Sequence, residues 1–292
     1  MFSVHPVTPV IGAELRGLDM SRELSSEVLD ALYRALLEYQ VIFVRDADIS
    51  PASHLAFAQS FGELSAPHPL YPHVPGFENI MLLENNEATP PDTNSWHTDL
   101  TFKEEQPFAS ILIARHVPEV GGDTLWSSCY AAYDRLSEGM KAHLKELKAI
   151  HDMGDFRNNF SEDSNGKTAA ERLSGGMTRM GQSIRPLIGR HPVTGRPFLN
   201  FNEAFVSHIV GMTTTESNAL ITWLAGHMNR PEDQLRWRWT NNTLAMWDNR
   251  VTMHYAVADY LPQHRSMNRI TVIRDRREPE SGSGEDSSRA VG

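Results

Sequence analysis

Two residue types that bind metal ions stand two positions apart at His97 and Asp99, in the segment WHTD. Side chains at positions i and i+2 of a strand lie on the same face, so this spacing predicts that both residues can hold one ion. A third protein ligand is then needed. His254 is the best candidate, because it follows a strongly apolar segment that is predicted to be a strand. Two histidines and one carboxylate on one face of an octahedron are typical of non-haem Fe(II) oxygenases.

The same residues allow other interpretations. With 13 histidines in the chain, a chance His-x-Asp is expected on the order of once. A simple hydrogen bond between His97 and Asp99 would also explain the pair, and a hydrolytic zinc site uses the same ligand types. Arg265, which follows His254 closely, favours the oxygenase. A guanidinium fork suits the far carboxylate of a 2-oxoglutarate cosubstrate. Taken alone, Arg265 is more typical of a solvated surface arginine, and only the combination with the three candidate ligands favours the cosubstrate role.

Longer motifs around these residues resemble the taurine dioxygenase family, which also includes phenoxyalkanoate dioxygenases and alkylsulfatases. The motifs are HPLYPH at 68–73, WHTDLTF at 96–102, GGDTLW at 121–126, RWRW at 236–239, WDNRVTMH at 247–254 and ADYLPQHR at 258–265. The resemblance runs from about Val4 to Asp275. It implies a double-stranded β-helix (jelly-roll) core with helices packed outside. It also implies Fe(II) bound by His97, Asp99 and His254, with 2-oxoglutarate and O₂ as cosubstrates.

The remaining site residues are also implied by the resemblance. Arg265 and the Thr124 hydroxyl would hold 2-oxoglutarate, although Thr124 taken alone reads as a turn residue after Gly121-Gly122. His68 and Arg269 would bind a sulfonate, a permanent anion that suits an arginine and a donor or protonated imidazole. Other residues near the substrate would be Tyr71, Thr93, Leu100 (through its backbone N–H), Phe160 and Phe205.

One departure from the family pattern concerns the substrate's amine. Thr93 stands where the family has an asparagine, so the side chain retains a hydroxyl but has less reach, and the neighbouring Asn94 is a possible substitute. For His68, Tyr71 and Phe205, ordinary packing or loop anchoring is the alternative to a binding role.

The reaction implied by the resemblance is hydroxylation of taurine at the carbon bearing the sulfonate. It releases sulfite and aminoacetaldehyde, while 2-oxoglutarate becomes succinate and CO₂. An alkylsulfatase or another alkylsulfonate dioxygenase is the first alternative. A metal-dependent hydrolase is an alternative of another class, in which Arg265 and Thr124 would have no role. A non-catalytic jelly-roll binding module would have no use for three metal ligands.

The elements that position these residues are predicted from hydrophobic periodicity. Helices are expected over Ser25–Tyr39, from Ser50-Pro51 to before Gly62, and over Tyr130–Leu136, Glu138–Leu147 and Glu216–Met228, with Ser25, Ser50 and Thr213 as N-caps. Strands are expected over 41–45, 80–83, 110–115, 124–126, 197–201, 235–239, 244–247 and 269–274. From the residues alone this indicates an α+β barrel or sandwich, since an alternating βα pattern is missing.

Residues 1–274 are predicted to form a single dioxygenase domain. Within it, 154–182 is rich in Asn, Ser, Gly and charge, and we expect a lid loop there. Residues 275–292 are expected to be a disordered tail.

The amino-acid composition limits the kinds of partner and compartment that we expect for this protein. A net charge of −10 argues against nucleic acid and anionic membranes. One cysteine, no signal-peptide pattern and no long apolar run favour a cytoplasmic protein. A small-molecule sulfonate is the expected partner, and the resemblance suggests a homodimer or tetramer. Despite the acidic total, residues 249–274 contain four arginines against one aspartate.

Overall fold

The computed structural model describes residues 2–68, 71–91, 95–153 and 181–278. Within these residues the chain forms five α-helices and 17 strands. The helices are α1 (Ser26–Tyr39), α2 (Pro51–Gln59), α3 (Cys129–Asp134), α4 (Glu138–Lys145) and α5 (Thr214–Met228). Thr93, Phe160 and positions 154–180 of the expected lid lie outside the described residues.

The strands are short and are spread along the whole chain. In order they are β1 (Ser3–Pro6), β2 (Ala13–Arg16), β3 (Val41–Val44), β4 (Gly62–Leu64), β5 (His73–Val74), β6 (Phe77–Asn85), β7 (Ala109–His116), β8 (Thr124–Ser128), β9 (Lys148–His151), β10 (Ser183–Pro186), β11 (Ile188–Arg190), β12 (Pro197–Leu199), β13 (Val206–Ile209), β14 (Gln234–Trp237), β15 (Leu244–Asp248), β16 (Thr252–Ala256) and β17 (Arg265–Asp275).

Side-chain caps predicted from the sequence explain where two of the helices begin. The Ser50 hydroxyl accepts the backbone N–H of Ser53 ahead of Pro51. Thr213 and Glu216 form the expected capping box of α5, each side chain bonding the other's backbone. Helix α1 follows Ser25 as predicted, but the Ser25 side chain does not cap a backbone N–H.

The largest sheet has nine strands among the described residues. Its order is β1-β2-β3-β15-β7-β17-β6-β5, and β4 pairs with β17. All neighbours are antiparallel except β2 and β3. A second sheet, β14-β8-β16, is also antiparallel. This two-sheet arrangement confirms the α+β jelly-roll prediction.

Alternation along the central strands places one core on each face of the nine-stranded sheet. On β7, Ile111 and Ile113 pack with the helical side, whereas Leu112 and Ala114 pack with the second sheet. Residues of β3 and β15 alternate in the same way. Because a strand has a side-chain period of two, these apolar runs are buried on both faces.

The core between the two sheets is aromatic. The Phe43 ring of β3 stacks on Trp237 of β14 at 3.8 Å between centroids, and its neighbour Trp126 of β8 is fully buried. On the opposite face, α1 and α2 contribute Leu32, Leu36 and Phe57. Burial of each such side chain stabilises the fold by about 1.5–3 kcal/mol. The site described below is therefore carried by strands that are fixed from both sides.

The ordered chain extends past the predicted domain end. Asp275, expected to begin the tail, is the last residue of β17 and is 6% exposed. It accepts the Tyr33 hydroxyl at 2.6 Å and an N–H of Arg250 at 3.1 Å. Asp275 therefore belongs to β17 and not to a tail, because two partners fix its buried carboxylate there. Among the described residues, no helix is long and apolar enough to cross a membrane.

Candidate active site

His97 and His254 are joined directly through their backbones. They form an isolated antiparallel bridge in which each N–H donates to the other's carbonyl, at 3.0 and 2.8 Å. His254 follows the apolar strand β15 as predicted, and it lies itself within β16. Asp99 does not continue a strand from His97, since the chain turns at Leu100, whose φ is +52°. The strand-spacing argument for His97 and Asp99 is thus wrong, because a turn and not a strand face brings them together.

The three side chains nevertheless form one cluster. Ligand atoms of His97, Asp99 and His254 all lie within 4.8 Å of one another, and all three residues are buried. The Asp99 Oδ1 atom is 3.6 Å from His97 Nε2 and 3.7 Å from His254 Nε2. The Ser95 carbonyl accepts from His97 Nδ1 at 2.9 Å, which leaves the Nε2 lone pair for a ligand. This donor set fits the two-histidine, one-carboxylate arrangement of Fe(II).

The two oxygens of Asp99 have different surroundings. Oδ1 faces the histidines, whereas Oδ2 accepts from Ser110 Oγ at 3.1 Å and from the Arg269 guanidinium. Burial by itself would raise the pKa of the Asp99 carboxyl, but the charge of Arg269 and the two imidazoles hold it below its usual range. Burial lowers the pKa of His254 well below its usual value, with a further contribution from His97. Both groups are therefore in the forms that bind metal.

Arg265 begins β17 and is 6% exposed. Its Nε donates to the Gly122 carbonyl at 3.2 Å, and no carboxylate of the described residues lies within 4.0 Å. Burial lowers the pKa of its guanidinium. Gly122 has φ +69°, and a Cβ there would stand 3.1 Å from Arg265 Cδ, so only glycine fits this close approach. A buried cation without a protein counter-charge fits the far carboxylate of 2-oxoglutarate.

The hydroxyl of Thr124 is oriented by a tryptophan. Thr124 Oγ1 accepts the indole N–H of Trp239 at 3.0 Å, so its own hydrogen is available to donate. Thr124 begins β8 and is 3% exposed. This placement fits a hydrogen bond to a carboxylate better than a simple turn role.

Arg269 lies four residues after Arg265 on the same face of β17. Besides Asp99, it bonds Ser110 Oγ at 2.9 Å and stands over the Trp247 ring at 5.4 Å. Its buried Nε has no hydrogen-bond partner among the described atoms. Burial and the Arg269 charge lower the pKa of His68 to about 4. At neutral pH His68 is therefore an uncharged N–H donor, and the protonated alternative is disfavoured.

One cavity of about 380 Å³ contains all of these groups. Ten predicted site residues that fall in the described chain line it: His68, Tyr71, His97, Asp99, Leu100, Thr124, Phe205, His254, Arg265 and Arg269. The metal cluster, the Arg265 corner and the His68–Arg269 pair are thus parts of one site. Their individual binding roles stay predictions.

Sequence reasoning missed a second group of residues. Met81 and Leu83 line the cavity because they pair with Arg269 and Met267 across the β6–β17 ladder. Asn249 was also missed as a partner of Asp99, although it lies inside the motif around His254. The alternation of side chains along β6 could have indicated Met81 and Leu83, and the polar residues of the WDNRVTMH motif without an assigned role could have indicated Asn249.

The comparisons with known proteins agree on one family. The family model described as "Taurine catabolism dioxygenase TauD, TfdA family" matches residues 3–271. An alpha-ketoglutarate-dependent sulfate ester dioxygenase of Pseudomonas putida is 36% identical, covering 92% of this chain and 88% of that protein. An alkylsulfatase of Acinetobacter baylyi is 35% identical, with coverages of 92% and 84%.

A solved taurine dioxygenase from Burkholderia xenovorans superposes with a TM-score of 0.80 at 32% identity. The match covers 94% of this chain and 90% of that one. The chain therefore belongs to the taurine dioxygenase (TauD/TfdA) family, and it is a 2-oxoglutarate-dependent dioxygenase that uses Fe(II) and O₂.

Proposed function

We propose that this enzyme oxidatively cleaves alkyl sulfate esters. The observation that carries the proposal is a mainly apolar cavity with Arg269 at one end. This largely buried arginine touches the predicted metal ligand Asp99 and retains an unpaired Nε among the described atoms. A sulfate monoester carries a permanent negative charge on oxygens that accept several hydrogen bonds. A guanidinium and the neutral His68 imidazole match those acceptors. An anion bound there lies beside the metal cluster.

The walls of the cavity favour an apolar substrate body. Aliphatic, thioether and aromatic side chains dominate the lining: Met81, Leu82, Leu83, Leu100, Phe102, Leu112, Met153, Phe205, Trp247 and Val257. The described acidic residues of the lining are Asp99 and Glu84. Asp99 pairs with Arg269, and Glu84 pairs with His264 at 2.7 Å. The described walls therefore offer an alkyl chain a better environment than they offer a primary ammonium.

Two relatives support a sulfate ester substrate, since a sulfate ester dioxygenase and an alkylsulfatase are 36% and 35% identical to this chain. Taurine is the second candidate. It is supported by the HPLYPH motif, by Tyr71 packing on His68 with centroids 4.9 Å apart, and by the taurine dioxygenase structure from Burkholderia xenovorans. Both substrates present a sulfur oxyanion to Arg269. They differ in what the rest of the cavity must accept.

In this proposal, separate groups of residues bind the metal, the cosubstrate and the substrate. When bound, Fe(II) with 2-oxoglutarate and O₂ supplies the oxidising power that hydroxylates a C–H bond while 2-oxoglutarate becomes succinate and CO₂. His97, Asp99 and His254 would hold the metal, and Arg265 with Thr124 would hold the far carboxylate of the cosubstrate. His68 and Arg269 would fix the sulfur anion, so that its neighbouring carbon is the one presented.

Aromatic side chains keep water away from this chemistry. Phe205 packs edge-on against Phe102 and against His97, with centroids at 5.0 and 6.3 Å.

Hydroxylation of the carbon that bears the sulfate gives a hemiacetal sulfate ester. Its C–O bond to sulfate breaks as the new hydroxyl loses a proton, which yields an aldehyde and sulfate. In a hydroxylated sulfonate the C–S bond would break instead, which would yield an aldehyde and sulfite.

The test is a substrate panel with Fe(II), 2-oxoglutarate and O₂: hexyl sulfate, hexanesulfonate, taurine and, as a control without sulfur, hexanoate. We expect succinate and sulfate in equal amounts from hexyl sulfate, with little turnover of taurine. Sulfite from taurine, without sulfate release from hexyl sulfate, would move the assignment to the second candidate. Sulfate release that needs metal but not 2-oxoglutarate would indicate a hydrolase and refute the proposal.

A further inference from the structure

Asn249 is a residue of the WDNRVTMH motif whose side chain bonds the backbone of Asp99 but is not a predicted metal ligand. It is fully buried, and its Oδ1 accepts the backbone N–H of Asp99 at 2.9 Å. Its Nδ2 donates to the Asp99 carbonyl at 3.1 Å and to the Pro107 carbonyl at 3.2 Å. One amide thus bonds the peptide groups on both sides of a predicted metal ligand.

The backbone at Asp99 has little other support. The bridge to β16 ends at His97, and Leu100 has positive φ, which is unfavourable for a branched side chain. Thr98 is held through its side chain, whose hydroxyl donates to the Thr252 carbonyl at 2.9 Å. No strand ladder therefore fixes the Asp99 peptide groups in the described chain. The amide of Asn249 substitutes for that ladder.

Asn249 is itself fixed by a buried ionic network. The neighbouring Asp248 carboxylate accepts from Arg250 at 2.9 and 2.7 Å and from His191 at 2.9 Å. The Arg250 guanidinium also forms an ion pair with Asp275 at 3.1 Å. The backbone of Asn249 also bonds the Phe108 carbonyl at 2.8 Å. The turn that carries Asn249 is thus anchored to three parts of the chain before any metal binds.

We propose that Asn249 is a positioning residue that sets metal affinity by orienting the Asp99 carboxylate through its backbone. This inference concerns the metal site and holds for either sulfur substrate. An ordinary buried amide would stabilise the fold without affecting the metal affinity of folded protein. The two roles are separable because metal affinity and stability can be measured independently on the apo-protein.

The experiment compares Asn249→Ala and the near-isosteric Asn249→Asp with the unmodified chain. Asn249→Asp retains an acceptor for the Asp99 N–H but loses both donated bonds, and it serves if the alanine variant does not fold. Mn²⁺ affinity is measured by calorimetry on apo-protein, and Tm is measured on the same samples. We expect a 10- to 100-fold loss of Mn²⁺ affinity in the folded variants.

Ser217→Ala is the matched control. Ser217 is fully buried, and its hydroxyl accepts the Ile209 N–H at 2.9 Å, far along the chain from the motif. It should lower Tm with a change in Mn²⁺ affinity below 2-fold. Asn249 variants that lose Tm as the control does, yet bind Mn²⁺ like the unmodified chain, would overturn the positioning role. Because no substrate is used, a wrong substrate assignment leaves this result unaffected.

Discussion

Replacing Arg265 with glutamine tests the cosubstrate corner most directly. The guanidinium is buried, has no carboxylate of the described residues within 4.0 Å, and bonds the Gly122 carbonyl. A fork on a carboxylate makes two charge-assisted hydrogen bonds, each worth about 1.5–3 kcal/mol. Their loss corresponds to about 3–6 kcal/mol, or about a 10²- to 10⁴-fold rise in the KM for 2-oxoglutarate.

Stability should respond in the opposite direction. In the apo-protein Arg265 is a desolvated cation that forms no ion pair with the described residues, and burial already lowers its pKa. Glutamine removes that charge, so the Tm of apo Arg265→Gln should be unchanged or higher. A variant that loses cosubstrate affinity while keeping its Tm cannot be explained by misfolding.

The assay measures succinate against 2-oxoglutarate concentration, with Arg274→Gln as the control. Arg274 is on the same strand but is 65% exposed and pairs with Glu105 at the surface. Its KM for 2-oxoglutarate should stay within 2-fold. A folded Arg265→Gln enzyme with a KM within 3-fold of the unmodified chain would refute the assignment of Arg265.

Two further predictions concern residues of the cavity, and a third concerns the buried His54. Asp99→Ala should abolish Mn²⁺ binding in calorimetry, and retained affinity would exclude Asp99 as a ligand. Arg269→Met should raise the KM for the sulfur substrate at least 100-fold. Mn²⁺ binding should not weaken, because the substitution removes a cation beside Asp99. Equal losses of substrate affinity and Mn²⁺ affinity would contradict the substrate role of Arg269. Burial, with the charge of Arg115, lowers the pKa of His54 to about 3 in the folded protein, from its ordinary value of 6.5. Below pH 6.5 the unfolded chain therefore binds a proton at His54 that the folded protein does not bind. The free energy of unfolding falls as the pH drops from 6.5 towards 3. His54→Leu should remove about 2 kcal/mol of the loss between pH 7 and pH 5 in urea titrations, and an unchanged loss would contradict this.

Hydrophobic periodicity and N-cap residues predicted helices and strands well where the determining residues are close in sequence. The capping box at Thr213 and the proline start of α2 are confirmed, since both depend on residues within one turn. The jelly-roll came from motif resemblance, because no local pattern states which strands pair. The expected homo-oligomer and the residue roles stay predictions.

The site shows where local reasoning fails. His97 and Asp99 do meet, but through a turn and a bridge to His254, which is a tertiary contact that spacing cannot reveal. Asn249 reaches Asp99 across 150 positions, and Met81 enters the cavity only because β6 pairs with β17. Asp275 looked like tail because its stabilising partners, Tyr33 and Arg250, are distant in sequence.

A single strand carries the two arginines that we propose bind the cosubstrate and the sulfur substrate. Arg265 and Arg269 point to the same face of β17, and four residues of strand span about 13 Å. Each cation has different neighbours, Gly122 for Arg265 and the Asp99–Ser110 pair for Arg269. A slip of β17 by one residue would turn both guanidinium groups out of the cavity. The pairing of β17 with β6 and β7 therefore fixes both guanidinium groups in the cavity, and with them the positions proposed for the cosubstrate and the substrate.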